Sequence, residues 1–103
     1  MESHHTASAE RLFRVFLSIE TVEEWARFFD DLCTIKEVQD MTQRLDTALL
    51  LDAGKSYQEI SREVGISTAT ISRVNRCLLY GSGGYRLALD RMYEKEKSLD
   101  RDQ

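Results

Sequence analysis

Apolar side chains recur along this chain at intervals of three and four residues, the spacing of one face of a helix. Leu12, Phe13, Phe16 and Leu17 share one side of a first predicted helix, from about Ala7 to Ile19. Val22, Trp25, Phe28, Phe29 and Leu32 form the apolar face of a second. Val38, Met41, Leu45, Ala48 and Leu49 run through a third, which Gly54 ends as a residue just past the C-cap. Three Ser/Thr-x-x-Glu signatures mark helix starts: Thr21 with Glu24, Thr34 with Glu37, and Ser56 with Glu59. The fourth helix opens at Ser56, and Ser67 caps a fifth that ends near Leu79 or Tyr80. Gly81-Ser82-Gly83-Gly84 then breaks the chain. A last helix, from about Tyr85 to Lys97, is expected to pack Leu87, Leu89 and Met92. The chain has no proline, and all five glycines fall at an expected helix end or turn. The pattern predicts an all-α fold of about six helices.

At 103 residues, one domain is expected. Residues 1–6 read as a flexible tail and 7–97 as a single helical domain. Within it lie the helices of 7–54, a central pair at 56–80 and a C-terminal helix at 85–97. Residues 98–103 are charged and expected to fray.

The central pair has a particular register. Ile60 and Val64 put two apolar groups on one face of a short helix, and Ser61 is small enough to let a second helix cross closely. Gly65 sits where the chain must turn sharply, in a backbone conformation that is cheap only for glycine. Ile66 plugs the turn, and Ile71 and Val74 return the second helix's apolar face to the first. These offsets define a helix-turn-helix. The outward face of the second helix carries Thr68, Ser72, Arg73, Asn75 and Arg76, with no acid among them. Hydroxyl, amide and guanidinium groups on one helix face suit a DNA major groove. Ser56, Gln58, Ser67, Thr68, Ala69, Thr70, Ser72, Arg73 and Arg76 are the candidate DNA-binding residues. Gln58 is placed to touch the flanking backbone.

The net charge of −4 is unevenly distributed. Residues 1–54 hold five bases and eleven acids. Residues 55–89 hold Lys55, Arg62, Arg73, Arg76 and Arg86 against only Glu59 and Glu63. No acid lies between Glu63 and Asp90. Phosphate binding depends on local potential, so a basic reading segment on an acidic body is compatible with DNA.

The third helix bears on assembly. Leu49, Leu50 and Leu51 are consecutive, so apolar groups emerge on more than one face, as in a helix buried all round. A small chain has little interior for such a helix. Either the monomer has a deep core, or residues 7–54 of two chains intertwine in a homodimer. The dimer is favoured, since a helix-turn-helix reads a two-fold site as a pair.

Other chemistry is poorly supported. The only histidines, His4 and His5, lie in the polar N-terminal tail and are either native or tag-derived, so no catalytic base and no metal site is expected. Asp30 and Asp31 are adjacent and point apart on a helix. The glycine run lacks the lysine and the preceding strand of a P-loop. It reads as the hinge that places the last helix, or as backbone that touches DNA. Cys33 and Cys77 show no metal spacing and are expected to be reduced, packed thiols. No apolar run approaches a membrane span and no signal segment opens the chain, so a cytoplasmic protein is expected.

The string GISTATISRVNRCL, followed by YGSGGY, resembles the YerC/YecD family of Trp-repressor-like proteins. The likeness runs from about Glu10 to Met92. It implies a Trp-repressor-like intertwined homodimer that binds double-stranded operator DNA as a transcription regulator. In the tryptophan repressor a corepressor lies between the third helix and the recognition helix. By motif, Arg44 and Arg73 match its two flanking arginines and Thr70 a threonine near the ligand. Val74 stands where the repressor has glycine and Cys77 where it has serine. Val74 adds volume where an amino acid must lie close to backbone, and Cys77 is the poorer hydrogen-bond partner. The residues themselves point to no cofactor; an amino-acid corepressor such as tryptophan is what the resemblance alone would add. Two function classes remain: a sequence-specific regulator, read here as a repressor, and a protein-interaction module that keeps the helix-turn-helix as scaffold. The acidic first half suits the second.

Overall fold

The computed structural model describes residues 6–101, with side chains through Leu99. The described residues form six helices and no strand: α1 (Ala7–Ser18), α2 (Val22–Leu32), α3 (Ile35–Asp52), α4 (Tyr57–Val64), α5 (Thr68–Tyr80) and α6 (Gly84–Arg101). The fold class is therefore all-α. The chain divides into two compact units, one up to Val38 and one from Gln39 onward. His4 and His5 lie outside the described residues.

The first unit is built on local capping and an aromatic cluster. Thr6, expected in the tail, is the N-cap of α1: its hydroxyl accepts from the Ala9 N–H at 3.1 Å. The Thr21 hydroxyl accepts from the Glu24 N–H at 3.1 Å. The Glu24 carboxylate reaches one residue further back than a capping box needs, and accepts from the Glu20 N–H at 2.9 Å. Thr34 and Glu37 close the reciprocal pair, at 2.8 and 3.1 Å. Phe16 meets Trp25 edge-on at 4.9 Å between ring centroids, and Trp25 meets Phe29 at 5.6 Å. Phe28 packs edge-on against Phe16 at 6.0 Å. Yet no residue of α1 or α2 is buried. Leu17 is 84% exposed, Val22 80% and Ile35 81%.

The second unit has an interior. Ala48 of α3, Val74 of α5 and Leu89 of α6 are buried together. Leu49, Leu51, Leu78, Tyr85, Met92 and Tyr93 pack around them. Ile60 and Ile71 are fully buried between α4 and α5. The Thr47 hydroxyl is buried too, and donates to the Gln43 carbonyl at 2.7 Å. At the end of α3, Gly54 adopts φ 85°, with its N–H on the Leu51 carbonyl and the Lys55 N–H on the Leu50 carbonyl. These two bonds are the Schellman arrangement, and they satisfy carbonyls the helix would leave open.

Three sequence expectations change. The apolar face read through α3 stays largely open: only Thr47 and Ala48 of that helix are buried. Met41 and Leu45 stay more than a third exposed, because only the C-terminal part of α3 packs into this cluster. Leu87 does not join the core with Leu89 and Met92 but is 54% exposed. On a helix of 3.6 residues per turn, positions 85, 89, 92 and 93 share a stripe that 87 lies opposite. Finally, α6 starts at Gly84 and runs to Arg101, past the expected end at Lys97. No glycine or proline stops it, and Ser98, Leu99 and Asp100 are compatible with another turn.

Candidate nucleic-acid interface

The motif is assembled by short-range hydrogen bonds. Ser56 and Glu59 form a full capping box: the Ser56 hydroxyl accepts from the Glu59 N–H at 3.2 Å, and the Glu59 carboxylate from the Ser56 N–H at 3.3 Å. Gly65 ends α4 at φ 81°, ψ 36°, in the left-handed region. The Ser61 hydroxyl donates across the turn to the Ile66 carbonyl at 2.7 Å. Ser61 therefore gives more than small size, since it also satisfies a turn carbonyl. Ser67 caps α5 by accepting from the Thr70 N–H at 3.2 Å, and its Oγ lies 3.1 Å from the Thr70 Oγ1.

Of the candidate DNA-binding residues, Ser56, Gln58, Ser67, Thr68, Ala69, Ser72, Arg73 and Arg76 are exposed, and Thr70 is half-buried. Asn75 was expected on the open face with Ser72 and Arg76. It is half-buried instead, and its Nδ2 donates to the Tyr57 hydroxyl at 3.1 Å, tying the middle of α5 to the start of α4. Tyr57 is a residue that sequence reasoning missed. Its partner lies eighteen positions away, and no local pattern announces the pair.

A groove of ≈ 480 Å³ opens beside α5, lined by Asp40, Gln43, Arg44, Ile66, Thr70, Arg73, Val74, Cys77 and Tyr85. Arg44, Thr70, Arg73, Val74 and Cys77, the residues picked out by the resemblance, thus line one space. Asp40, Gln43 and Tyr85 were not foreseen there. The Arg44 Nε donates to the main-chain carbonyl of Asp40 at 3.2 Å. Burial raises the Tyr85 hydroxyl above the ordinary tyrosine pKa, and the Arg44 charge partly opposes this. Cys77 was expected to be packed, but it is an exposed free thiol on the groove; Cys33 is a half-buried one. Cys77 lies six positions after Ile71, about a third of a turn away from it around the helix, whereas Leu78, seven positions on, keeps to the packed side. Among the described residues, no group of three His, Cys, Asp or Glu side chains is placed to hold a metal.

Arg86 belongs to the basic stretch in sequence but not to the exposed face of α5. It donates to both carboxylate oxygens of Asp52 at 2.8 and 3.1 Å, and its Nε to Asp90 at 2.9 Å. The Tyr93 hydroxyl adds a bond to Asp52 at 3.0 Å. The Arg86 hydrogen bonds lower the Asp52 carboxyl below its usual range, against a smaller upward push from burial.

A capped two-helix motif with a glycine turn, set between helices α3 and α6, defines an all-helical helix-turn-helix protein of the Trp-repressor-like type. The model of the Trp repressor protein family matches residues 7–93, and the chain belongs to that family. It is 54% identical over 87 residues to YerC of Bacillus subtilis (strain 168), an uncharacterized protein, covering 84% of each chain. A TrpR-like protein from Eubacterium eligens ATCC 27750 superposes with a TM-score of 0.82 at 42% identity, over 84% of this chain and 90% of that one. A candidate Trp repressor from Staphylococcus aureus also gives 0.82, at 46% identity, over 86% and 89%. The family is one of Trp-repressor-like proteins and not of enzymes. No described helix is long and apolar enough to cross a membrane.

Proposed function

We propose that this chain is a cytoplasmic transcription regulator, a repressor, that binds a two-fold DNA operator as a homodimer through α4 and α5. The observation that carries the reading is the exposed face of α5. From a capped N-terminus it presents Thr68, Ala69, Ser72, Arg73 and Arg76, and no acid occurs from Val64 to Leu89. The first turns of such a helix reach base edges, where Thr68 and Ser72 can donate or accept and Ala69 can meet a thymine methyl. These groups are small, so DNA shape and bridging waters carry much of the specificity. Pairing is supported by α1 and α2, which have apolar faces and nothing buried. It also doubles the phosphate contacts of a modestly basic motif.

The reading includes no corepressor. Val74 adds volume and Cys77 a weak partner where tryptophan would need space and a hydroxyl. The competing reading, a protein-interaction module, draws on the eleven acids among residues 1–54. A salt-titrated shift assay followed by binding-site selection separates the two. A regulator gives affinity that falls linearly on a log–log salt plot and selects a two-fold sequence. An interaction module shows no salt-dependent affinity for any duplex.

A further inference from the structure

The hydrogen bond between Asn75 and Tyr57 joins the two helices of the motif, and its direction matters. The Asn75 Nδ2 is the donor and the Tyr57 oxygen the acceptor, at 3.1 Å. A phenolic hydroxyl has one proton and can also accept. Here the bond to Asn75 occupies a lone pair and leaves the proton to point elsewhere. Asn75, half-buried, follows buried Ile71 by four residues and exposed Ser72 by three, so it borders both the buried and the exposed side of α5. The Tyr57 oxygen therefore sits at the edge of the exposed stripe. Ser56, next to it, is in a similar state: its oxygen accepts from the Glu59 N–H, and its own proton is not used by that bond.

We propose that Tyr57 donates a hydrogen bond to a DNA phosphate beside the groove that α5 enters, and that Asn75 is the positioning residue that aims it. The proposal rests on the DNA-binding reading above. In a helix-turn-helix the first helix crosses the backbone while the second lies in the groove, so a hydroxyl shared between the start of α4 and the open edge of α5 faces phosphate. A bond accepted from Asn75 polarises the phenol and strengthens it as a donor. The contact is charge-assisted through the phosphate, but a phenol brings no positive charge to it. It therefore adds affinity without displacing a counterion. An arginine contact differs, because it raises both affinity and salt slope.

The test uses the whole chain and a fluorescent duplex of random sequence, because a phosphate contact does not depend on operator identity. Tyr57→Phe keeps the ring and its packing. It is expected to weaken binding about tenfold, alike on random and selected duplexes, with the salt slope unchanged. Asn75→Ala is expected to lose a similar factor, and the double variant no more than the worse single one, since the two act as a unit. Thermal midpoints of all four proteins are measured alongside. If Tyr57→Phe binds as the wild type does, the inference is overturned, whatever happens to the midpoint. It is also overturned if the loss falls at one base position, or if the two losses multiply. The wild-type arm reports separately on the parent reading: no salt-dependent binding there ends the DNA assignment itself.

Discussion

The two units of this chain use apolar residues in opposite ways. Beyond Gln39, Ala48, Ile60, Ile71, Val74 and Leu89 are buried, with Thr47 as the buried polar residue among those described. Up to Val38, the aromatic rings touch one another but no residue of α1 or α2 is buried. Leu17, Val22 and Ile35 are almost as open as in an extended chain. A large contiguous apolar surface is rare on a soluble monomer and marks a surface that meets something else. The C-terminal unit has buried apolar residues, whereas none of the described residues of the N-terminal unit is buried.

The contrast is broken most severely by placing charge on the open face. Leu17→Glu with Val22→Glu is expected to raise the dissociation constant of the proposed dimer by at least about a thousandfold. Each buried apolar side chain contributes roughly 1.5–3 kcal/mol and each occurs twice. Light scattering through a dilution series reads this. A wild type that is monomeric and fully helical at micromolar concentration would remove the basis for pairing. Next in size is Leu89→Ala, which opens a cavity in the core of the second unit. It is expected to cost about 2–5 kcal/mol in urea unfolding. Leu17→Ala is expected to cost far less at dilutions where the chain is single. Equal losses would mean that the units are not so different.

Smaller effects sharpen the account of the second unit. Arg73→Ala and Arg76→Ala should each flatten the salt slope by about one if the side chain meets phosphate. If either grips guanine, the loss of about 1–3 kcal/mol falls at one base position instead. Unchanged affinity and slope in both variants would remove α5 as the reading surface. The smallest expected effect is the acid response of Asp52. Its folded pKa is depressed, chiefly by the Arg86 hydrogen bonds. The clamp therefore contributes fully above the usual carboxylate range, and the contribution is lost as pH falls through the depressed value. Asp52→Asn should lower the thermal midpoint near neutrality and leave a shallower decline as pH falls below the usual carboxylate range. Parallel declines in the two proteins would deny the clamp any role.

Much of this was legible because the signals are local. Thr34, Ser56 and Ser67 cap within three residues of themselves, and Gly54 and Gly65 each adopt the left-handed backbone that only glycine reaches cheaply. The apolar stripe of Ile60, Ile71 and Val74 follows from helical spacing alone. What stayed hidden is long-range or depends on the depth of packing. Asn75 has the polarity of a reading residue, and only the placement of Tyr57 shows it turned inward. Asp52 and Arg86 are thirty-four residues apart, so the sequence shows two charges but not their pairing. For the groove, Arg44 and Arg73 could be matched by motif. Tyr85 sits there because α6 starts at Gly84, one residue ahead of it, and Asp40 because it lies one turn before Arg44.

An N-terminal unit with no interior also bears on how the chain is made. Ribosomes deliver α1 and α2 ahead of α3 to α6, at about 5–20 residues per second. Nothing within those two helices shields Leu17 or Val22 while the rest is synthesised. Helix α6, which supplies Leu89 to the core of the other unit, emerges after them. For several seconds the nascent polypeptide displays its stickiest surface with no completed fold behind it. Neighbouring ribosomes on one message would hold such surfaces close together, so subunits from a single transcript would meet before any is released. Chaperone dependence and a sharp response to expression level are the physiological signatures to expect from that order of events.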